Sequence, residues 1–292
     1  MKGGHPLDYK CLRAIAPIVF RRARQETTGF RPSPGLSETE RQFFCENGYL
    51  VKHSVIPAAL TARAIDYCWS LLPDRFQRDR PESWRGLVED SLCERTVAAR
   101  KGRLKYRECV RRERWLYEMI DGDPCIRTTV EGLLGAGRVP PLQYIRGLYP
   151  VIPAPRTRLR VPRPHTDGHR FLVGTLTYLD DVGEGGGGFH VWPGSHLLMG
   201  RQFTTAAGAG WKDSYHRGLY QLARRSAPVE ILAPRGSVIF WHHRLAHAAG
   251  INRSQAIRHA LLADFYPEDY DDFCHRPVPP NPWQYWAESL QQ

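Results

Sequence analysis

The chain contains a short run of residues whose types and spacing suit metal binding, Pro164-His165-Thr166-Asp167. An imidazole and a carboxylate two positions apart on an extended segment point to the same side, so His165 and Asp167 can share one metal ion. Histidine is a common metal ligand and proton carrier, and nine of the 12 histidines fall between His165 and His259. This part of the sequence is therefore a candidate metal site.

A second stretch supplies the remaining ligand type. A predicted turn and strand at 235–241 is followed closely by His247. Two histidines and one carboxylate on one face of an octahedron form the facial triad of non-haem Fe(II) oxygenases, which leaves three positions open. Two of these can chelate 2-oxoglutarate and the third can accept O₂. Arg258, eleven residues past His247 and across a turn at 250–254, is placed to hold the far carboxylate of 2-oxoglutarate with its planar guanidinium.

These residues resemble the phytanoyl-CoA dioxygenase family of Fe(II)/2-oxoglutarate-dependent oxygenases. The resemblance is carried by His165-Thr166-Asp167, by Val191-Trp192-Pro193-Gly194-Ser195-His196, and by Gly236-x-Val238-x-Phe240 followed by His247, Asn252, Ser254 and Arg258. With the opening Leu36-Ser37-Glu38 and Gly48-Tyr49-Leu50-Val51, it covers about residues 36–275. It implies Fe(II) on His165, Asp167 and His247, 2-oxoglutarate on Arg258, O₂ as the second cosubstrate, and a double-stranded β-helix core.

The resemblance also implies a reaction. 2-Oxoglutarate is converted to succinate and CO₂ while an unactivated C–H bond of a small organic molecule is oxidised, most simply by hydroxylation. Related halogenases have a small residue in place of the carboxylate ligand, so Asp167 argues against halogenation. Ring formation, desaturation and epimerisation use the same ligands and stay open. The alternative is a cupin-like metalloenzyme that does not use 2-oxoglutarate, against which the position of Arg258 argues.

Other histidines compete for the ligand roles. The competing residues are His169, two positions beyond Asp167, and His242 and His243, which precede His247. His247 is preferred because it alone stands at the family's distance before Asn252 and Arg258. His196 is expected to have a structural role in a loop.

Composition narrows the class of protein. A chain of 292 residues with 42% hydrophobic and 24% charged residues is typical of a folded protein, and no apolar run approaches the roughly 18 residues of a membrane span. The apolar run at 14–20 is short and is followed by arginines, which argues against a signal peptide. Seven cysteines without a Cys-x-x-Cys pattern fit neither a disulfide framework nor a zinc ribbon. Reduced thiols in the cytoplasm are expected.

The charge balance is strongly basic, with 41 Lys and Arg against 30 Asp and Glu and a net charge of +11. Such an excess favours an anionic partner, although arginine-rich codon usage explains it equally well. A protein that binds or modifies nucleic acid is a less favoured alternative, because no nucleic-acid-binding motif is present. No nucleic-acid or membrane partner is expected.

Three alternating arginines precede the metal motif, namely Arg156, Arg158 and Arg160. On an extended segment they share one face that leads towards His165. They are candidate residues for an anionic group on the substrate, and the competing interpretation is a solvated edge strand on which arginines deter pairing.

Helices are predicted in the first half of the chain and strands in the second. Ser37 and Glu40 form a capping box for a helix that ends at Gly48, residues 49–51 form a strand, and a second helix covers about 57–72. The basic stretch 95–114 is also expected to be helical. Strands are predicted at 142–149, 171–179, 188–192, 229–232, 237–241 and 257–266. The glycine run at 185–188 is expected in a hairpin loop, with a mobile lid as the alternative.

The predicted architecture is α+β, mainly β with flanking N-terminal helices around a jelly-roll, cupin-like core. Residues 1–35 are a basic N-terminal arm and residues 276–292 a C-terminal tail. Between them, residues 36–275 form one oxygenase domain, helical over 36–140 and jelly-roll over 141–275.

Overall fold

The computed structural model describes residues 35–84, 103–154, 163–208 and 210–291. Its α-helices are α1 (Glu38–Asn47), α2 (Ala58–Leu71), α3 (Arg114–Asp121), α4 (Pro124–Leu134), α5 (Ser195–Gly200), α6 (Tyr215–Arg225) and α7 (Tyr270–Phe273). Its strands are β1 (Tyr49–Lys52), β2 (Ile145–Leu148), β3 (Val173–Tyr178), β4 (Phe189–Val191), β5 (Val229–Ile231), β6 (Val238–His242), β7 (His247–Ala249) and β8 (Ala260–Phe265). Within these described ranges, no helix combines the length and the apolar character needed to cross a bilayer.

The strands form two antiparallel sheets. The larger sheet has the order β1-β6-β3-β8-β2 and the smaller has the order β5-β4-β7. Strands that neighbour each other in space are far apart in the chain, as with β1 beside β6 and β3 beside β8. This connectivity is that of a jelly roll rather than of a series of hairpins. The predicted double-stranded β-helix with N-terminal helices is confirmed.

Alternate side chains of the larger sheet enter two different cores. On β6, Val238 and Phe240 pack in the core that contains the N-terminal helices. Ile239 and Trp241 pack in the core shared with the smaller sheet. A strand buried on both faces has a continuous apolar sequence, which explains the run at 238–241. Gly174 on β3 makes room for the indole, because a Cβ there would lie 2.3 Å from Cζ2 of Trp241.

The N-terminal helix and strand form as their local sequence predicts. Ser37 Oγ accepts a hydrogen bond from the backbone N–H of Glu40, and the Glu40 carboxylate accepts one from the N–H of Ser37. The helix ends where Gly48 adopts a left-handed conformation with φ of 77°, which glycine tolerates at little cost. The strand that follows pairs with β6, with Tyr49 opposite Trp241. These predictions, and that of α2, are confirmed.

The second half of the chain contains all six predicted strands, but the glycine run does not form a hairpin loop. It connects β3 of the larger sheet to β4 of the smaller one. Glu230 on β5 accepts backbone hydrogen bonds from Gly185 and Gly188, and Gly185 accepts one from the N–H of Arg253. The loop is therefore held by hydrogen bonds to β5 and to the turn that contains Arg253, which also argues against a mobile lid.

The prediction missed β7, a strand of three residues that is too short to show a period.

The basic stretch 95–114 differs from its predicted helix over the part that the structure describes. Arg103 forms a bridge with Val151, and Tyr106 forms one with Leu148 at β2. Residues 103–106 thus lie along the edge of the larger sheet, and α3 begins only at Arg114. Burial of Leu104 and Tyr106 on the sheet favours this edge pairing over a solvated helix. Residues 95–102 of the prediction fall outside the described ranges, as does the N-terminal arm apart from Gly35.

The C-terminal segment is not an appended tail in its described part. Trp283, Trp286 and Leu290 are all buried in the larger core. Trp283 and Trp286 pack against Phe44 of α1, with ring centroids 6.0 and 5.8 Å away. The domain therefore extends at least to residue 290.

This packing encloses a cluster of neutral histidines. The ring of His242 stacks on Trp286 at a centroid distance of 4.5 Å, and His196 lies 5.0 Å from His242. Burial lowers the pKa of His196 to about 4. Burial above all, and then the neighbouring side chains of His243, His196 and Arg244, hold the pKa of His242 well below its ordinary value. These groups are therefore uncharged in the folded protein at neutral pH.

We expect the unfolding free energy to fall as the pH is lowered from 6.5 towards 4. Below pH 6.5 the unfolded chain protonates these histidines and the folded chain does not, so each contributes a slope of about 1.4 kcal/mol per pH unit. Urea unfolding between pH 7 and pH 4.5 measures the slope. His196→Asn should reduce it and His216→Asn, on the exposed face of α6, should not. A slope that does not change in His196→Asn would contradict the assignment.

Candidate active site

The structure brings His165, Asp167 and His247 together. Their potential ligand atoms lie within 4.8 Å of one another, and no other such group of three occurs in the described part of the chain. Oδ2 of Asp167 is 3.3 Å from Nε2 of His247, and Oδ1 is 3.8 Å from Nε2 of His165. Ligands about 2.1 Å from a metal ion lie about 3 Å apart when they are at right angles. The three side chains therefore fit one octahedral face.

Backbone pairing explains this convergence. His165 and His247 form an antiparallel bridge with hydrogen bonds of 3.0 and 2.9 Å in both directions, so both side chains project from the same side. Asp167, two residues along the extended segment, projects to that side as well. The sequence placed His165 and Asp167 on one face, and the bridge adds His247 from a distant segment.

The tryptophan-proline-glycine-serine motif holds the segment that carries His247. The N–H of Trp192 donates to the carbonyl of Ala246, and Oγ of Ser195 accepts from the N–H of Ala246. Nδ1 of His247 is 2.9 Å from the carbonyl of Leu245, which can only accept, so Nδ1 carries the proton. Nε2 is then the nitrogen that faces Asp167 and is available for metal ligation.

Asp167 is ionised at its position. Burial alone would raise its pKa, but the charge of Arg146 holds the pKa well below its ordinary value. Nη1 of Arg146 donates to Oδ2 of Asp167 at 2.8 Å. The site therefore presents one ionised carboxylate and two imidazoles.

Arg146 on β2 is held in turn by a second carboxylate. Its Nε donates to Oδ2 of Asp264 on β8 at 3.0 Å, and its Nη2 also donates to this carboxylate. Asp264 is fully buried and also contacts Nε2 of His169 at 2.9 Å. Arg146 thus bridges two carboxylates and orients Asp167.

Arg258 lies in the wall of the same cavity. Its Nε donates to the carbonyl of Gly187 at 3.1 Å, and its Nη1 is buried with no hydrogen-bond partner among the described residues. Asn252 shapes the turn before it by donating to the carbonyl of Val151 at 2.8 Å, while its side-chain oxygen accepts from Oγ of Ser254 at 2.6 Å. A buried, incompletely satisfied guanidinium is suited to an anionic ligand.

The histidines that compete for the ligand roles in the sequence make other contacts in the structure. His169 contacts Asp264 rather than the triad. His242 and His243 are buried beside Trp286, and His196, in the first turn of α5, contacts the carbonyl of Cys45. The proposed substrate residues Arg156, Arg158 and Arg160 fall outside the described residues.

A cavity of about 260 Å³ connects the triad with Arg258. Its apolar wall consists of Val151, Leu176, Phe189, Trp241, Ala249 and Leu262. Its cationic lining consists of Arg103, Lys105, Arg107, Arg146 and Arg258. Sequence reasoning missed Arg146, Asp264 and the basic segment at 103–107. The available signal was a charged residue inside an apolar strand, as in Ile145-Arg146-Gly147-Leu148 and Leu262-Ala263-Asp264-Phe265.

Comparison with known proteins agrees with this fold. The family model of phytanoyl-CoA dioxygenase matches residues 154–260, which include all three triad residues and Arg258. A comparison with curated protein sequences found no match.

Several solved structures are similar in fold. The non-haem α-ketoglutarate-dependent carbocyclase SnoK from nogalamycin biosynthesis has 19% identity and a TM-score of 0.54, over 87% of this chain and 98% of that one. The epimerase SnoN in complex with Fe³⁺, α-ketoglutarate and nogalamycin RO has 19% identity and a TM-score of 0.51, over 78% and 83%. EvdO2 from Micromonospora carbonacea var. aurantiaca has 17% identity and a TM-score of 0.51, over 87% and 99%. At these identities the similarity concerns the fold.

The double-stranded β-helix and its two-histidine, one-carboxylate site define a non-haem Fe(II)- and 2-oxoglutarate-dependent oxygenase, with O₂ as the second cosubstrate. More particularly, residues 154–260 match the family model of phytanoyl-CoA dioxygenase, the family that the sequence motifs resemble.

Proposed function

We propose that the chain binds Fe(II) through His165, Asp167 and His247 and 2-oxoglutarate through Arg258, and that it hydroxylates an unactivated C–H bond of a small organic molecule. Succinate and CO₂ are the coproducts. The convergence of one carboxylate and two imidazoles on one side of an open cavity carries this proposal. A carboxylate at position 167 favours hydroxylation over halogenation.

The residues present fit both groups. The triad offers the nitrogen and oxygen ligands that Fe(II) accepts, and it leaves the cavity side open. The buried Nη1 of Arg258 supports a role for this guanidinium in binding the far carboxylate of 2-oxoglutarate. Iron and 2-oxoglutarate together supply the activation of O₂ when they are bound.

The chain's own contribution is orientation and exclusion of water. Leu245 holds the tautomer of His247, and Arg146 holds the carboxylate of Asp167. Phe189 and Trp241 form an apolar wall beside His247, with ring centroids 5.2 and 5.8 Å from its imidazole. Such a wall restricts the water that would otherwise compete with a bound substrate.

The test of the proposed function is succinate formation from 2-oxoglutarate by the purified protein with Fe(II) and O₂, followed by mass spectrometry of candidate substrates. Succinate and a product heavier by one oxygen atom support hydroxylation. Succinate with a cyclised, desaturated or epimerised product would overturn hydroxylation and retain the oxygenase class. If the protein binds the metal but forms no succinate, with or without a substrate, the result would favour the cupin-like alternative.

Arg258→Lys should raise the KM for 2-oxoglutarate about tenfold or more, equal to about 1.4 kcal/mol, and change Fe(II) affinity much less. Lysine keeps the charge but loses the planar fork and the bond that Nε makes with Gly187. Steady-state succinate assays and metal titration measure the two effects. Arg235→Lys, at an exposed turn, is the matched control. An unchanged KM in Arg258→Lys would exclude this role.

A further inference from the structure

Thr166, the residue between His165 and Asp167, makes a contact on the side away from the triad. Alternate residues of an extended segment face opposite sides, so its side chain points away from those of the two ligands. On that side it meets Tyr215, the first residue of α6. The tyrosine hydroxyl oxygen accepts a hydrogen bond from the N–H of Thr166 at 3.3 Å and lies 2.8 Å from Oγ1 of the same residue. One tyrosine oxygen therefore holds both the backbone and the side chain of the residue between two ligands.

The bond to the backbone completes the hydrogen bonding of one peptide unit. The carbonyl of His165 accepts from the N–H of His247 at 2.9 Å. The N–H at the other end of this peptide unit belongs to Thr166 and points away from His247, as the geometry of an antiparallel pair requires. Thr166 is buried, and a buried N–H without a partner is costly. With Tyr215 as the partner, the peptide that joins His165 to Thr166 is held at both ends.

Tyr215 is itself held firmly. Its side chain is buried in an apolar cluster that also contains residues of α5. Its ring meets that of Phe203 edge-on, with the centroids 5.6 Å apart. The same cluster contains Ala246 and Ala248, the residues on either side of His247. One packed unit therefore contacts both of the segments that carry the ligands.

We propose that Tyr215 is a positioning residue for the metal site and that its hydroxyl, through Thr166, sets the relative position of His165 and Asp167. This proposal rests on the proposed function, in which these ligands hold Fe(II). Arg146 orients the carboxylate of Asp167 from the cavity. Tyr215 acts from the opposite side, on the backbone that carries both ligands. Groups that orient metal ligands typically change metal affinity or activity by about 10–100-fold when they are substituted.

Tyr215→Phe tests this role because it removes the hydroxyl and keeps the ring in its cluster. We expect the full chain to bind Fe(II) under anaerobic conditions about tenfold more weakly. The visible absorption of the Co(II)-loaded protein should shift as well, because the d–d bands of Co(II) depend on the arrangement of its ligands. Metal titration and absorption spectroscopy measure the two effects.

Variants of Thr166 test the same contact from its other side. Thr166→Val removes Oγ1 and leaves α6 unchanged, so it should weaken metal binding less than Tyr215→Phe does. Thr166→Ser keeps the hydroxyl and should bind as wild type. Adding Thr166→Val to Tyr215→Phe should cause no further loss, because both changes remove the same hydroxyl contact.

Tyr270→Phe is the matched control. Tyr270 is also buried, and its hydroxyl donates to the carbonyl of Ala207 at 3.0 Å. Loss of this hydroxyl should lower the free energy of unfolding, as loss of the Tyr215 hydroxyl should, and urea unfolding without metal measures both. Metal affinity should fall in Tyr215→Phe and stay close to the wild-type value in Tyr270→Phe.

Wild-type affinity with an unshifted spectrum in Tyr215→Phe would overturn the proposal, and so would an equal loss of affinity in Tyr270→Phe. If Tyr215→Phe does not fold, Thr166→Val decides. Weaker metal binding than in Thr166→Ser then supports the role, and equal binding overturns it. Failure of the proposed function gives a different result: a wild type that binds Fe(II) but forms no succinate leaves these comparisons of affinity intact, and a wild type that binds no metal overturns both.

Discussion

Asp167→Ala is expected to abolish succinate formation and to weaken Fe(II) binding by more than 100-fold. Substitutions of groups that only orient metal ligands typically cost 10–100-fold in metal affinity or activity, and loss of a ligand itself should cost more. Alanine removes the only anionic member of the triad and leaves Arg146 directed at an empty position. Metal titration and a succinate assay measure the two losses. His165→Ala and His247→Ala should behave in the same way.

A matched histidine substitution separates ligand loss from general damage. In the sequence, His169 competes with the triad residues for the role of metal ligand, but in the structure it contacts Asp264. His169→Gln therefore removes a nearby histidine that is outside the ligand set. We expect it to retain Fe(II) binding within about tenfold, at the low end of effects from groups outside the ligand set. Full activity in Asp167→Ala, or loss of metal binding in His169→Gln equal to that in His247→Ala, would mean that the ligand set is wrong.

Arg146→Met should lower the unfolding free energy by about 3–5 kcal/mol, which is typical when one partner of a buried ion pair is removed. The reason is Asp264, which has a fully buried side chain and would be left with His169 as its one remaining ion-pair partner among the described residues. Urea unfolding at pH 7 without metal measures the change.

The companion substitution tests this cause. In Arg146→Met with Asp264→Asn, the buried charge is removed together with its partner, so part of the lost stability should return. Arg146→Lys should weaken metal binding through Asp167 while it lowers stability less than methionine does, because it keeps a positive charge near both carboxylates. The stability cost of Asp264→Asn is also measured alone in the wild type. If adding Asp264→Asn to Arg146→Met lowers the unfolding free energy by that same amount, the two residues are not coupled.

The local sequence predicted those features that depend on short-range geometry. The capping box at Ser37 and Glu40 and the left-handed Gly48 specify the ends of α1, because each satisfies backbone groups within a few residues. His165 and Asp167 share a face because strand residues alternate with a period of two. The position of Arg258 relative to His247 could be predicted from their spacing because a single tight turn joins them.

The tertiary structure decided which distant groups meet. Arg146, Asp264 and the segment 103–107 come from three separate parts of the chain. The register between strands brings Arg146 and the segment 103–107 to the cavity and places Asp264 behind Arg146, and no local pattern encodes that register. The same pairing turned an expected basic helix at 103–106 into an edge segment, since burying Leu104 and Tyr106 on the larger sheet outweighed helical tendency. The sequence by itself therefore determined the metal-binding motif and the β-rich core. Only the folded chain decided which charges surround that motif, because those charges depend on contacts between residues tens to more than a hundred positions apart.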